Sequence, residues 1–404
     1  MDATKYIGMI NDKHYFDLQK MKYKYSKSDV NEMLSILEAT GYKELMLWDI
    51  KGKSKLVYVD SLIAHSHKAI KTLTSYKGSA SYGVQSLENE IIASFKIEQI
   101  DTSRESVRKI LAGQAPVTKG EYRIWGMKKG FEFMADPANK ISANSVRQLY
   151  EIAVNPYHEF EENKLETGQM YRNDTVEVFD HAKQVSLHRG LDADKIPAYM
   201  DALFKFIDSK DDIDDLSKAA IIHFYIAYVH PYFDGNGRMA RMIHLWFLLQ
   251  KGYSSTLFMP FSALIEGSRK AYYDVFKIIE NNAEISGVID VTPFVQYMQT
   301  QVYATIGEAT FESNVLNQFK QLINDGEITE KEKQLFHFIL LHYGENEFST
   351  KQLEKDFGNC AYATIRAFVL KLKAKNILDV NAYKNRNKYF LKAPDEVVIK
   401  ENQI

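Results

Sequence analysis

The chain has 404 residues, 45% hydrophobic and 26% charged, with a formal net charge of −2. That length allows two or three domains around a substantial core, and the balance fits an ordinary soluble protein while excluding a globally basic nucleic-acid coat. Cys360 is the only cysteine, which excludes an intrachain disulfide and a cysteine-based zinc site and fits a reducing, cytoplasmic setting.

Seven of the eight prolines lie between Pro116 and Pro293, so the first 115 residues lack the strongest helix breaker and suit helices. Leu45–Trp48 and Val57–Val59 read as short strands or buried turns. Ser86–Leu111 has Leu87, Ile91, Ile92 and Phe95 at helical spacing and predicts one helix, with Gly113 as its stop. In the middle of the chain, Ser142–Asn155 and Lys195–Ile207 repeat apolar residues with a helical period. Between them, alternation at Val176 and Val178 predicts a short hairpin within Met170–Phe179. Ser217 is placed to cap a helix running to Val229, which Pro231 ends. Asn236 or Gly237 opens the next helix, Arg238–Gln250, and Gly252 sits where a helix stop belongs. No apolar run approaches the roughly 18 residues of a membrane span, Leu245–Leu249 being the best, and the N-terminus has no secretory pattern.

The tail reads as helices over Thr329–His342, Ser349–Phe357 and Ala361–Lys375, then β-like runs over Leu378–Tyr383 and Lys388–Leu391. Three helices and a hairpin make a winged helix-turn-helix pattern. The expected fold is therefore mainly α: a helical bundle with a short hairpin, plus this C-terminal unit. The expected divisions are 1–112, 113–305 and 306–404. From Cys360 to Lys392 there are eight Lys or Arg against one acid, Asp379, which makes DNA a candidate partner.

Chemistry concentrates in residues 230–241, HPYFDGNGRMAR. A helix N-terminus presents unpaired N–H groups and a positive dipole end, so it attracts anions. Gly235 and Gly237 allow close backbone approach, and Asn236 tolerates the same geometry. Arg238 and Arg241 share one face of the first turn and suit the outer phosphates of a nucleotide. Asp234 is placed to hold Mg²⁺ bridging phosphate oxygens, and His230 can take a proton near neutral pH. The ensemble fits phosphoryl or nucleotidyl transfer to a hydroxyl. An EF-hand is excluded because Arg238 stands where Asp or Asn is needed, and a Walker A loop because Leu47 precedes Gly52-Lys53-Ser54 where glycine is needed. An ordinary helix–helix turn needs one glycine, not a base, an acid and two arginines.

This segment resembles the core motif of the Fic (filamentation induced by cAMP) family, H-x-F-x-[DE]-G-N-G-R-x-x-R, with Tyr232 in place of the usual Phe. More loosely, the resemblance extends over about residues 85–300. It implies a helical fold and transfer of AMP from ATP to a Ser, Thr or Tyr hydroxyl of a protein, with release of pyrophosphate. His230 would be the general base and Asp234 the Mg²⁺ ligand. Gly235, Asn236 and Gly237 would cradle phosphates, and Arg238 and Arg241 would bind the outer ones. Related Doc-type phosphotransferases carry Lys where this chain has Gly237, so the glycine favours AMP transfer. The Tyr232 phenol needs a partner if buried.

The resemblance continues upstream. Ser94-Phe95-Lys96-Ile97-Glu98-Gln99 resembles the inhibitory pattern [ST]-x-x-x-E-[GN], whose Glu pairs with the second motif arginine; Gln99 departs from it. The hairpin carrying Val176 and Val178 resembles the flap that docks a target by strand addition. Arg172 beside it reads equally as a surface ion pair. Tyr272 and Tyr273 stand either beside adenine or in helix packing. His223 reads as a core histidine, and His65 and His67 as a solvated pair. The expected activity is a protein adenylyltransferase using ATP and Mg²⁺, restrained by Glu98 and acting on a protein target or on itself, with homodimerisation possible. The alternatives are a DNA-binding regulator with a nucleotide-sensing pocket, or a hydrolase removing AMP at the same site.

Overall fold

A computed structural model describes residues 1–52, 54–74, 84–154, 165–166, 168–180, 185–308, 314–339, 343, 347–358, 360–383 and 386–391. Three helices open the chain, α1 (Ala3–Ile10), α2 (Leu18–Lys24) and α3 (Lys27–Thr40). Asp2, Asp17 and Ser26 each accept a bond from a first-turn N–H, the usual way a short helix satisfies its orphan donors. Their inner faces, with Met9, Met21, Val30 and Leu37, make a small separate cluster. Strands β1 (Lys43–Trp48) and β2 (Lys55–Tyr58) then pair antiparallel, where the sequence places strands. Helix α4 (His67–Thr74) follows.

The single helix expected over Ser86–Leu111 is two, α5 (Val84–Ile97) and α6 (Arg104–Leu111). Periodicity continues across the join, but the backbone does not. Gln99 takes the left-handed region (φ 58°), while its N–H bonds to Lys96 O and that of Ile100 bonds to Phe95 O. That is a Schellman stop, the geometry that glycine or asparagine adopts most readily. Ser103 then caps α6.

Helices α7 (Lys119–Ala135) and α8 (Ala143–Ala153) start on capping boxes at Thr118 and Ser142. They approach closely at Gly126, where a Cβ would lie 2.8 Å from Ala153 O. Strands β3 (Glu177–Asp180) and β4 (Val185–Arg189) form the second hairpin. It lies later than expected: only the first strand falls within Met170–Phe179, and Val176 sits just before it.

Helices α9 (Ile196–Asp208), α10 (Asp215–Val229) and α11 (Asn236–Gln250) lead through the bundle. The cap of α10 is Asp214, which accepts from Leu216 N and Ser217 N. Ser217, the expected cap, is instead fully buried and accepts from Gln299 Nε2. Since α10 and α11 are buried on nearly every face, they form the centre of the main core. Around them lie α12 (Phe261–Gly267), α13 (Arg269–Ser286), α14 (Thr292–Tyr297) and α15 (Ala304–Glu308), with α12 against α5.

The tail contains α16 (Asn314–Asn324), α17 (Glu330–Phe338), α18 (Thr350–Phe357) and α19 (Tyr362–Ala374), then the antiparallel pair β5 (Leu378–Tyr383) and β6 (Arg386–Leu391). These elements bury their own cluster, including Phe336, Phe348, Ile365, Phe368 and Tyr389. Residues 340–342 of the expected Thr329–His342 helix, and Lys384 and Lys392 of the basic stretch, lie outside the described residues. The protein is mainly helical, with short hairpins. Among the described residues no helix is long and apolar enough to cross a membrane.

Candidate active site

Helix α10 delivers His230 and stops on it. His230 is the C-cap, in the left-handed region (φ 56°, ψ 61°), with its N–H bonded to Ile226 O. A non-glycine residue there costs about 1–2 kcal/mol, so the surroundings must hold it. Its Nδ1 lies 3.2 Å from Ala227 O. With Nδ1–H donating to that carbonyl, Nε2 is left as the basic nitrogen.

The loop after His230 is tied internally. Asn236 accepts from Tyr232 N at 2.9 Å and donates to Tyr232 O at 2.8 Å. Its side chain is therefore engaged in shaping the loop, which leaves its main chain for contact with an anion. Gly235 caps α11 with φ 77° and no side-chain cap, and a Cβ there would lie 2.8 Å from Val154 Cγ1. Both conditions require glycine. Asp234 stands at the rim, accepting from Gly235 N through Oδ1 and pairing with Arg238 Nη2 at 3.0 Å through Oδ2.

Both motif arginines are buried and both meet Glu98. Arg238 Nε donates to Glu98 Oε2 at 2.9 Å, and Arg241 Nη2 donates to Glu98 Oε1 at 2.6 Å. Arg241 also donates to Ser94 Oγ and Ser94 O. Residues four apart share a helix face, so Ser94 and Glu98 are presented together. The resemblance implied a pairing with Arg241 alone; Glu98 spans both guanidinium groups. Gly237 permits this, since a Cβ would sit 2.7 Å from Glu98 Oε1.

One turn before Ser94, Glu90 continues the same face, a spacing legible in the sequence. It is buried and accepts from Ser262 N (2.8 Å) and Ser262 Oγ (2.5 Å) at the start of α12. Burial pushes its carboxyl up, against the Ser262 bonds and the Arg241 charge. The middle and the C-terminal end of α5 are thereby tied to α12 and α11.

The remaining sequence candidates divide. Tyr272 is buried, its hydroxyl 3.0 Å from His223 Nε2. Tyr273 is more open and donates to Ile97 O beside Glu98. His223 is a core histidine as expected: burial, then the His244 and Arg241 charges, depress its basicity. Tyr232 stacks on Tyr150 at 4.0 Å, but its buried hydroxyl has no hydrogen-bond partner among the described residues.

The expected solvated pair divides: His67 is exposed, while His65 is half-buried. His65 lies between Asp60 (3.4 Å) and Asp214 (3.1 Å), a trio able to hold a cation. Asp214 starts α10 and His230 ends it, so about 22 Å of helix separates that trio from the loop.

The hairpin is rooted beside His230. Gly190 N bonds to Val176 O, and Leu191 N to Val229 O. Val178 belongs to β3, but its side chain lies outside the described residues. Arg172 is no surface ion pair: it is 2% exposed and donates to His230 O, Asp174 O and Leu191 O. No sequence pattern marks such a residue, because its acceptors are main-chain carbonyls.

Residues 140–248, about a quarter of the chain, match the Fic/DOC family. The chain is similar to protein adenylyltransferase fic-1 of Caenorhabditis elegans, 29% identical over 128 residues (30% of this chain, 22% of that protein). It is also similar to protein adenylyltransferase fic-1 of Caenorhabditis briggsae, 30% identical over 110 residues (26% and 19%). The aligned part thus spans about a fifth of those relatives. Among solved structures, a Fic family protein from Desulfovibrio desulfuricans G20 aligns with 80% of this chain and 89% of its own, at 19% identity and a TM-score of 0.46.

Proposed function

Because the chain carries a Fic domain around an unbroken His230–Arg241 loop, we propose that it is a protein adenylyltransferase held inactive by Glu98. The observation that carries this reading is the position of Glu98, whose carboxylate takes the two arginines suited to the outer phosphates of ATP. A carboxylate there mimics a phosphate and competes with it.

When α5 yields, Arg238, Arg241 and the uncapped start of α11 are open to the β- and γ-phosphates. His230 Nε2 then accepts the proton of a target hydroxyl. The hydroxyl oxygen bonds to the α-phosphorus as the bond to the bridging oxygen breaks, and pyrophosphate leaves. The part-exposed Asp234 carboxylate, next to the phosphate-facing helix end, fits a Mg²⁺ ligand. Bound there, the ion would neutralise charge on the phosphates. The hairpin ending at Gly190 borders His230 and offers strand edges to a target segment, with Val176 at its root.

Incubation of purified protein with α-labelled ATP and Mg²⁺ tests the reading. Label should enter protein in Glu98→Gly, far less in the parent, and not in His230→Ala. Label retained in His230→Ala, or absent from all three, would overturn it. A second role, contact with DNA through the C-terminal unit, is supported by exposed Arg366, Lys373 and Arg386. Three of its lysines are instead engaged by acids: Lys371 by Glu332, Lys375 by Glu327 and Lys388 by Glu347. A salt-dependent shift of duplex DNA, lost in Arg386→Ala, would support that role.

A further inference from the structure

We infer that Arg172 is the positioning residue that fixes His230 to the root of the hairpin, so that the base and the target-docking strands move as one body. This rests on the adenylyltransferase reading for what is docked, though not for the geometry.

His230 occupies a left-handed backbone conformation that a side chain with a Cβ disfavours, and such strain persists only where neighbours over-determine it. Its own N–H is satisfied within α10. Its carbonyl, turned away from the helix by that conformation, is met by Arg172 Nε at 2.7 Å. The main chain of Arg172 grips the next residue as well, Arg172 N donating to Pro231 O at 3.0 Å. Pro231 has no N–H of its own to anchor the turn. Two bonds from one residue therefore hold the two carbonyls that follow α10.

The rest of the guanidinium reaches the other side. Its two terminal nitrogens donate to Asp174 O, before β3, and to Leu191 O, after β4. The segment before β3, the end of the hairpin and the end of α10 thus converge on one planar fork. Arginine suits this because its donors are rigidly disposed and it stays charged when buried, whereas a lysine places a single point charge. Gly190 completes the fit: a Cβ there would lie 2.8 Å from Arg172 Nη2 and 3.1 Å from His230 Cβ. The hairpin root thus passes close against both Arg172 and His230.

In-line transfer requires the hydroxyl oxygen to lie opposite the leaving oxygen at the α-phosphorus, with the base in hydrogen-bond reach of its proton, and a misplacement of about 1 Å costs on the order of 100-fold in rate. The phosphates are held by α11 and the base by α10, so Arg172 governs the hydroxyl–base distance without touching either nucleotide or target.

The test uses the full chain in the Glu98→Gly background, comparing Arg172→Lys and Gly190→Ala with Leu203→Ala, a buried α9 position chosen as a stability control. Five quantities are read: nucleotide Kd by calorimetry, kcat and KM for transfer, the pH–rate profile, and the ¹⁵N shifts of the His230 ring. Arg172→Lys should leave the ATP Kd within about twofold, lower kcat about 100-fold, and move both the acidic limb of the profile and the His230 titration. Gly190→Ala, which displaces Arg172 without removing it, should move the same quantities in the same direction. Leu203→Ala should lower the melting temperature and leave the profile in place.

An unmoved profile and ring titration in folded Arg172→Lys, or in Gly190→Ala should the lysine variant not fold, would overturn the proposal. So would an equal shift in Leu203→Ala. If Glu98→Gly with Arg172 intact transfers nothing, the adenylyltransferase reading fails, and the ring titration still decides the role of Arg172.

Discussion

Replacing Glu98 by glycine removes two charge-assisted bonds, 2.9 Å to Arg238 and 2.6 Å to Arg241. Each bond of that type contributes about 1.5–3 kcal/mol, and breaking a buried ion pair outright costs about 3–5 kcal/mol. The arginines are not stranded, however. Arg238 keeps Asp234, and Arg241 keeps Ser94. Glu98 also lies beyond the last residue of α5, so glycine adds no helix-interior penalty. The net loss of folding stability should be about 2–4 kcal/mol. If that carboxylate competes with the outer phosphates as proposed, its removal should tighten ATP by about 10–100-fold, or roughly 1.4–2.8 kcal/mol. Calorimetric titration with ATP and AMP separates this from general loosening. AMP lacks the outer phosphates and should change less than twofold. Equal gains for ATP and AMP, or an unchanged ATP affinity alongside the expected drop in urea midpoint, would refute the competition argument.

Gly237→Ala should cost about 1–3 kcal/mol by overpacking against Glu98. Much of that loss should vanish in the Glu98→Gly background, a coupling read from a double-mutant cycle in urea. Tyr232→Phe removes a buried hydroxyl that has no hydrogen-bond partner among the described residues and should raise stability by about 1–2 kcal/mol; a lower urea midpoint would contradict this. Gly126→Ala drives a methyl into the Ala153 carbonyl, and a drop in melting temperature should report about 1–3 kcal/mol lost. For pH, burial lowers the His244 pKa to about 3 and depresses His223 in the same direction. Below the unfolded value of about 6.5 the unfolded chain therefore binds protons that the folded chain refuses. Stability should fall as pH drops from about 6.5 towards 3, by up to about 4–5 kcal/mol for His244. Asp290, pushed up to about 6 by burial, opposes this between about pH 6 and 4. Urea midpoints at pH 7, 5.5 and 4.5 should show a slope that His244→Gln flattens.

The loop was legible because its chemistry is local. A base, an acid, two glycines and two arginines within one turn-and-helix segment constrain one another through backbone geometry alone. Glu98 was legible only through the resemblance to the inhibitory pattern: four-residue spacing places Ser94 and Glu98 on one face but does not aim that face at the arginines. Glu90 obeys the same spacing, but its partner Ser262 lies 172 residues away and nothing local points to it.

The break at Gln99 was hidden because apolar periodicity reports which residues are buried and not whether the backbone between them is continuous. The cap of α10 was misplaced because Asp214 and Ser217 are both competent caps, and only the burial of Ser217 against Gln299 decides between them. By itself, then, the sequence determined the composition of the reactive loop and the helical class, and its family resemblance singled out Glu98. Only the tertiary structure decided that Glu98 spans both arginines and that Arg172 joins His230 to the hairpin. Those contacts depend on where main-chain carbonyls and distant helices converge, and carbonyls are the same at every position in a sequence.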